Sequence, residues 1–124
     1  MREIKFQGRA KYGNRIVGDL VHGEHGLAIR PRGDYTMPFG YRVDEETVGQ
    51  FTGFIDAEGQ ELFEGDMITP IEKSGVGKPE GEYWIDWDDQ EGGWLLKDRY
   101  DKIIEVLDED IAKAITAIEN PRWR

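Results

Sequence analysis

Apolar and polar residues form short runs along this chain, and glycines, prolines and aspartates separate the runs. A period of two is typical of a strand with one face against a core, and a short apolar run between turn residues is typical of a buried strand. Strands are therefore predicted at residues 2–6, 16–21, 27–29, 47–55, 62–63, 67–68, 83–87, 94–96 and 103–107. Most of the ordered chain is thus expected to be β-structure.

Two hairpins are indicated by the residues between these runs. Gly13-Asn14 is a turn signal between the first and second predicted strands. Residues 88–93 are acidic residues and glycines, which predict an exposed tip joining 83–87 to 94–96.

The other connections are a turn and two irregular segments. Asp56-Ala57-Glu58-Gly59 has Asp first and Gly fourth, the preference of a type I turn, so Gly59 is expected at positive φ. Residues 30–46 and 73–81 are rich in glycine and proline and predict irregular loops.

A single helix is predicted over about 108–119. Acidic residues Asp108-Glu109-Asp110 suit a helix N-terminus, and isoleucines follow at i, i+4 and i+7, at Ile111, Ile115 and Ile118. Asn120-Pro121 would end it. The predicted fold class is mainly β: a small curved antiparallel sheet or a partly open β-barrel with this one C-terminal helix, in a single domain over residues 1–124.

Composition narrows the classes of partner. The 124 residues include no cysteine, so disulfides, thiolate metal sites and cysteine nucleophiles are excluded. The formal charge of -10 repels nucleic-acid backbones and anionic membranes. The first residues alternate in polarity, and no apolar run approaches the roughly 18 residues that a membrane span needs. A cytoplasmic protein without direct nucleic-acid or membrane binding is expected.

Familiar ligand-binding and catalytic motifs are absent or broken. His22 and His25 lie around a glycine-flanked turn and lack further ligands for a closed zinc site. A calcium loop counted from Asp86 has Glu91 where glycine is needed, and the Gly-Lys before Pro79 lacks the rest of a phosphate loop. No metal, cofactor or catalytic residue is therefore predicted, and whether a small molecule binds is left open.

The acidic hairpin tip is the candidate contact site. Trp87 is the possible anchor for a protein partner, and the carboxylates beside it are Asp86, Asp88, Asp89 and Glu91. The plainer alternative is a solvated tip with its tryptophan in the core.

The middle of the chain carries a distinctive motif that resembles the signature of the YopX family. The motif runs Thr47-Val48-Gly49-Gln50-Phe51-Thr52-Gly53, continues through Asp56 and Gly59, and ends with Leu62-Phe63-Glu64-Gly65-Asp66-Met67-Ile68. Met1 to Phe6 and Ile118 to Pro121 are similar to the start and the end of that family.

The resemblance implies a β-rich fold with barrel-like curvature, encoded by a bacteriophage or an integrated prophage. It implies no reaction. We interpret the motif as a folding signature, because its glycines and aspartates are residue types that chain turns need. Its members are Gly49, Gln50, Thr52, Gly53, Asp56, Gly59, Glu64, Gly65 and Asp66.

Three functional hypotheses follow. The preferred one is a non-enzymatic protein-interaction or self-assembling module that acts in the bacterial cytoplasm. One alternative is an acidic decoy for a host enzyme that binds nucleic acid, using the acids at 86–91 and 105–110 in place of phosphates. The other is a small-molecule-binding β-barrel or an unrecognised enzyme.

Overall fold

The structure is a computed structural model that describes residues 3–11, 13–71 and 81–118. In chain order its elements are β1 (Phe6–Ala10), β2 (Arg15–Gly23), β3 (Gly26–Arg30), β4 (Tyr41–Ile55), β5 (Glu61–Phe63), β6 (Met67–Pro70), β7 (Tyr83–Asp88), β8 (Gly93–Lys97), β9 (Ile103–Val106), α1 (Glu109–Ala112) and β10 (Ile115–Ile118). The predicted mainly β fold class is confirmed. The predicted loop at 73–81 lies outside the described residues except for Gly81, and so does the predicted helix end at Asn120-Pro121.

The described residues group into two compact units, one ending at Phe51 and one beginning at Thr52. The boundary falls within β4, which therefore supplies residues to both. The prediction of a single domain over 1–124 stays a prediction.

In the first unit the sheet curls. Strands β1 to β4 follow each other in antiparallel order, and β1 pairs with β4 as well as with β2. Phe6 lies opposite Gly18 on one side and opposite Gln50 on the other. Because both edges of β1 are paired, its ladder hydrogen bonds are satisfied and the sheet closes on itself. Ile29, Val43 and Phe51 are buried in this unit.

A second antiparallel sheet dominates the other unit, with the order β10-β6-β7-β8-β9. Short β5 pairs with β4 at the end of the first sheet. The core of this unit combines aliphatic and aromatic side chains from the strands and from α1: Leu62, Ile68, Tyr83, Ile85, Trp94, Leu96, Leu107, Ala112 and Ile115.

The helix is shorter than the predicted 108–119. It begins at the predicted acidic residues, where Asp108 caps it: its Oδ1 accepts a hydrogen bond from the N–H of Ile111 at 2.8 Å. The helix ends at Ala112, however, and Ile115–Ile118 form β10. Pairing of β10 with β6 satisfies this backbone and still buries Ile115, so tertiary pairing overrides the helical spacing of the isoleucines.

Part of the predicted loop at 30–46 is also a strand. β4 begins at Tyr41, six residues before the predicted start, and Arg42 and Tyr41 pair with Ala28 and Ile29 of β3. The acidic residues 44–46 hide this strand from a hydropathy pattern. Among the described residues, no helix is long and apolar enough to cross a membrane.

Candidate functional site

The acidic hairpin tip is built by β7 and β8, as predicted. Trp87 lies opposite Trp94 and Asp88 opposite Gly93, and the N–H of Gly92 donates to the carbonyl of Asp88 at 2.9 Å. Asp88 Oδ1 also accepts a hydrogen bond from the N–H of Gln90 at 3.1 Å. The turn is therefore held by its own polar groups.

The four carboxylates of the tip do not form one free cluster. Asp86 Oδ2 accepts a hydrogen bond from Lys97 Nζ at 2.8 Å, and Asp86 Oδ1 accepts one from the N–H of Trp87. The hydrogen bond to Asp86 raises the pKa of Lys97, and the negative charges of Asp86 and Asp101 add to this shift. Asp89 and Glu91 are exposed at the turn.

Trp87 and the acids beside it lie on different faces of β7. Neighbouring residues of a strand point to opposite faces, so Asp86 and Asp88 share one face and Trp87 points to the other. There its ring meets Trp94 edge to face, with centroids 4.7 Å apart and planes at 68°. Trp87 is partly buried against the core of its unit. The structure thus brings Trp87 to the core rather than beside the carboxylates, and its role as a contact anchor stays a prediction.

The central motif is organised by the buried carboxylate of Asp56. Its Oδ1 accepts hydrogen bonds from the N–H groups of Glu58 at 2.9 Å and Gln60 at 2.8 Å, which shape the predicted turn. Its Oδ2 accepts one from the N–H of Ala117 at 2.8 Å, 61 residues away. Gly59 has φ of 84°, as predicted. Asp56 therefore joins the turn to β10 in addition to shaping it.

Two further motif side chains bind backbone groups. Buried Thr52 donates from Oγ1 to the carbonyl of Leu62 at 2.8 Å, which ties β4 to β5. Asp66 Oδ2 accepts from the N–H of Phe63 at 2.8 Å and closes the bend between β5 and β6. The remaining motif residues lie in β4 or in that bend: Gly49, Gln50, Gly53, Glu64 and Gly65. These contacts favour the interpretation of the motif as a folding signature.

Comparison with known proteins adds one finding. The sequence profile of the family described as YopX protein matches residues 25–119. The chain belongs to the YopX family. The matched range includes the whole central motif. No curated protein matches the chain.

Metal-binding geometry is missing from the described part of this YopX-family protein. No group of three or more His, Asp or Glu side chains there could hold a metal ion. His22 lies at the end of β2 and His25 in the following turn, and both are exposed.

The loop from Pro31 to Gly40 presents an apolar surface that was not predicted from the sequence. It leaves Tyr35 89% exposed and Phe39 81% exposed, and Met37 is exposed between them. The signal was present in the sequence, since three large apolar residues stand in a segment otherwise rich in glycine, proline and charge. Residues 30–46 were expected only as an irregular connection.

The interior of this loop is fixed by hydrogen bonds. Asp34 Oδ1 accepts from both the N–H and the hydroxyl of Thr36, at 2.9 and 2.6 Å, and Asp34 Oδ2 accepts from the Tyr41 hydroxyl at 3.3 Å. The hydrogen bonds from the hydroxyl and the N–H of Thr36 lower the pKa of Asp34, and the Tyr41 hydroxyl contributes less.

Both ends of the loop are also anchored. Arg32 donates to Asp19 Oδ1 at 3.1 Å and to Glu3 Oε1 at 2.6 Å. At the other end Gly40 has φ of 77°, and a Cβ there would lie 2.8 Å from the backbone of Ile29. Only glycine fits such a close approach, so the loop returns to β4 along a defined path.

An open groove of 520 Å³ lies in the second unit, between the start of β7 and the turn before β9. Trp84 and Tyr100 supply aromatic surface to it. Its charged lining is mixed, with Arg99 and Lys102 beside Glu82 and Asp98. The small-molecule alternative would place its ligand here.

Proposed function

We propose that this YopX-family protein is a non-enzymatic protein-interaction module that serves a phage or prophage in the bacterial cytoplasm. The observation that carries the proposal is the ordered loop 31–40 with its exposed Tyr35 and Phe39. The phage setting is what the family resemblance implies, and the cytoplasmic setting rests on the cysteine-free, acidic composition.

Exposed aromatic side chains of this kind are typical of contact surfaces. Tyrosine, phenylalanine and methionine are enriched at protein interfaces, and an aromatic anchor that becomes fully buried often dominates the binding energy. Burying a phenylalanine side chain contributes roughly 1.5–3 kcal/mol. Tyr35 and Phe39 together can therefore supply a large part of the affinity for a partner.

Rigidity of the loop supports the same proposal. A loop that is ordered before binding loses less conformational entropy when its partner arrives. Loop 31–40 has contacts within it and at both ends, in the bonds of Asp34, the bonds of Arg32 and the close approach at Gly40.

The test compares a loop variant with a matched surface variant. Tyr35→Ser combined with Phe39→Ser removes the aromatic rings, and Tyr100→Ser removes an aromatic ring that is 76% exposed elsewhere. Each purified protein is used to capture partners from lysate of prophage-carrying bacteria. Captured proteins are identified by mass spectrometry, and their affinities are then measured with purified components. Circular dichroism and melting temperature establish that all variants fold.

We expect the same partner with wild type and with Tyr100→Ser, and binding at least about tenfold weaker with the double loop variant, as for a hot spot. Light scattering over a range of concentrations tests self-assembly with the same three proteins. Equal affinity of the loop variant, or a monomer with no recoverable partner, would contradict the proposal.

A further inference from the structure

The two edges of the second unit's sheet differ in a way that bears on binding. The outer side of β10 is already occupied by the turn after β4. The N–H of Ala57 donates to the carbonyl of Ile115 at 3.0 Å, and the N–H of Ala117 donates to Asp56 Oδ2 at 2.8 Å. This edge therefore has no room for another strand.

At the opposite edge, the described residues leave the outer side of β9 without a paired strand. Within residues 3–11, 13–71 and 81–118, only β8 pairs with it. The N–H of Leu107 donates inward to the carbonyl of Trp94 at 2.9 Å, so alternation along an antiparallel strand directs the backbone groups of Val106 outward. Ile103 and Val106 are 55% and 56% exposed on this strand. The outer edge of β9 thus presents backbone hydrogen-bond donors and acceptors together with exposed apolar side chains.

Carboxylates lie within and after this strand, whereas the turn before it also carries Arg99 and Lys102. Glu105 lies within β9, and the residues that follow it include Asp108, Glu109 and Asp110, all exposed. Asp108 uses one carboxylate oxygen to cap α1, and Glu109 Oε1 lies 3.5 Å from Lys113 Nζ. A segment that pairs with β9 would approach these carboxylates.

We propose that β9 is a docking edge for an extended segment of a partner protein in which apolar residues alternate with lysine or arginine. The segment would add a strand to the sheet through main-chain hydrogen bonds, its apolar residues covering Ile103 and Val106. Its basic residues would complement Glu105 and the acids after β9. This site is separate from loop 31–40 and does not depend on the function proposed for that loop.

A second copy of this chain is the less suitable occupant. Pairing β9 with its own copy would bring Glu105 and the acids at 108–110 of both chains to the same interface. Like charges across a strand pair are destabilising, and the net charge of -10 on each chain adds repulsion.

The test uses synthetic peptides as probes of the full chain. The first is about eight residues long and alternates valine with lysine, the length of a typical strand. The second replaces lysine with glutamate, and the third keeps the first sequence but carries an N-methyl group on every backbone amide, so that neither edge of the peptide can donate hydrogen bonds. Binding is followed by NMR chemical-shift changes of the backbone amides, at low and at physiological salt.

We expect the valine-lysine peptide to shift the amides of Ile103 to Val106, and to bind more weakly at higher salt. The N-methylated and glutamate peptides should each bind at least about tenfold more weakly, because they lose hydrogen bonds and charge complementarity, respectively. Equal binding of the N-methylated peptide would overturn the proposal, since charge alone would then explain the affinity. Shifts confined to other residues, or no binding at all, would also overturn it.

Variants of the protein test whether the peptide binds at β9. Ile103→Thr combined with Val106→Thr keeps β-branched, uncharged residues but removes apolar surface, and should weaken the peptide about tenfold. Ile55→Thr is the matched control, because Ile55 is 51% exposed on a different strand. Tyr35→Ser with Phe39→Ser should bind the peptide as wild type does, which separates failure of this site from failure of the loop. A dimer that protects the β9 amides would identify a second copy as the occupant and overturn the proposal.

Discussion

Asp56 shows how much of this fold depends on individual carboxylates. As a turn residue it was expected to accept hydrogen bonds from nearby N–H groups, and it does so from Glu58 and Gln60. Its third hydrogen bond, from Ala117, could not be predicted, because no local pattern connects residues 61 positions apart. A short sequence motif can therefore indicate a turn while leaving its tertiary partner hidden.

Gly59 offers a direct test of that turn. At φ of 84°, a Cβ at Gly59 would meet no atom within 4 Å, so any cost of a side chain comes from the backbone conformation. Gly59→Val should lower the free energy of unfolding by roughly 1–3 kcal/mol. Urea denaturation measures the change.

The control for this substitution is Gly93→Val. Gly93 also has open space around it, but it lies in β8 without a positive φ. Valine suits a strand, so this variant should be within about 0.5 kcal/mol of wild type. Equal destabilisation by the two variants would show that backbone conformation is not the cause.

Asp34 gives a prediction about pH. Hydrogen bonds from Thr36 and, to a smaller extent, Tyr41 hold the pKa of this carboxyl below its ordinary value of 3.8. Because the folded-state pKa is lowered, the stabilisation of loop 31–40 is fully present above about pH 4, and is lost as the pH falls through the folded-state pKa. Acidification below pH 4 should therefore loosen the loop.

NMR titration of the Asp34 carboxyl measures this pKa directly. Thr36→Val removes the hydroxyl donor, which is the largest cause of the shift, and should move the pKa back toward its ordinary value. Tyr41→Phe should move it less, since the Tyr41 hydroxyl lies farther away at 3.3 Å. A larger change in the Asp34 pKa with Tyr41→Phe than with Thr36→Val would show that the Thr36 hydroxyl is not the main cause of the shift.

Among the secondary-structure elements, the segment after Asp108 contains one feature that the sequence pattern predicts, the start of the helix, and one that it does not, the strand β10. A helix beginning near Asp108 was predicted correctly from the acidic residues there, which is local chemistry. Spacing of Ile111, Ile115 and Ile118 fits a helix, yet the β-branched Ile115 and Ile118 also suit a strand. Which one forms depends on whether β6 has a free edge, and that is a property of the tertiary structure.

Ile115 should be as important to β10 as it would have been to a helix. Its side chain is completely buried in the core of the second unit, so Ile115→Asp places an unpaired charge there and should cost several kcal/mol. Lys113 lies two residues earlier, and its side chain is exposed. Lys113→Asp should therefore change the free energy of unfolding by about 0.5 kcal/mol or less. Thermal unfolding of both variants measures the difference. Similar melting temperatures would mean that β10 is not packed on the sheet.

The β7–β8 hairpin and β4 likewise differ in how well the sequence predicted them. The β7–β8 hairpin was predicted almost to the residue, because aromatic and aliphatic runs flank an acidic, glycine-containing tip. The first half of β4 was missed, because Asp44, Glu45 and Glu46 interrupt its apolar pattern. The candidate site was predicted only as a list of neighbours in sequence. The pairing of Asp86 with Lys97 and the contact of Trp87 with Trp94 depend on strand register.

For the whole molecule, the candidate contact surfaces differ in their chemistry. Loop 31–40 offers aromatic rings in the first unit, and β9 offers backbone groups with nearby acids in the second. Neither was evident from the charge of -10, which limits the partners but does not locate a site. The two surfaces predict different responses to salt: contacts of the aromatic loop should change little, whereas those at β9 should weaken.

The position of β10 beside β6 also has a consequence for synthesis on the ribosome. Pro70 lies opposite Ile115 in the finished sheet, so β6 is made well before the strand that covers one of its sides. Closing such a long stretch of chain is entropically costly and makes late pairing slow. Until residue 118 has emerged, the nascent chain therefore presents an uncovered apolar strand, and Asp56 lacks the N–H of Ala117. Chaperones that bind exposed strands would be able to bind β6 during this interval.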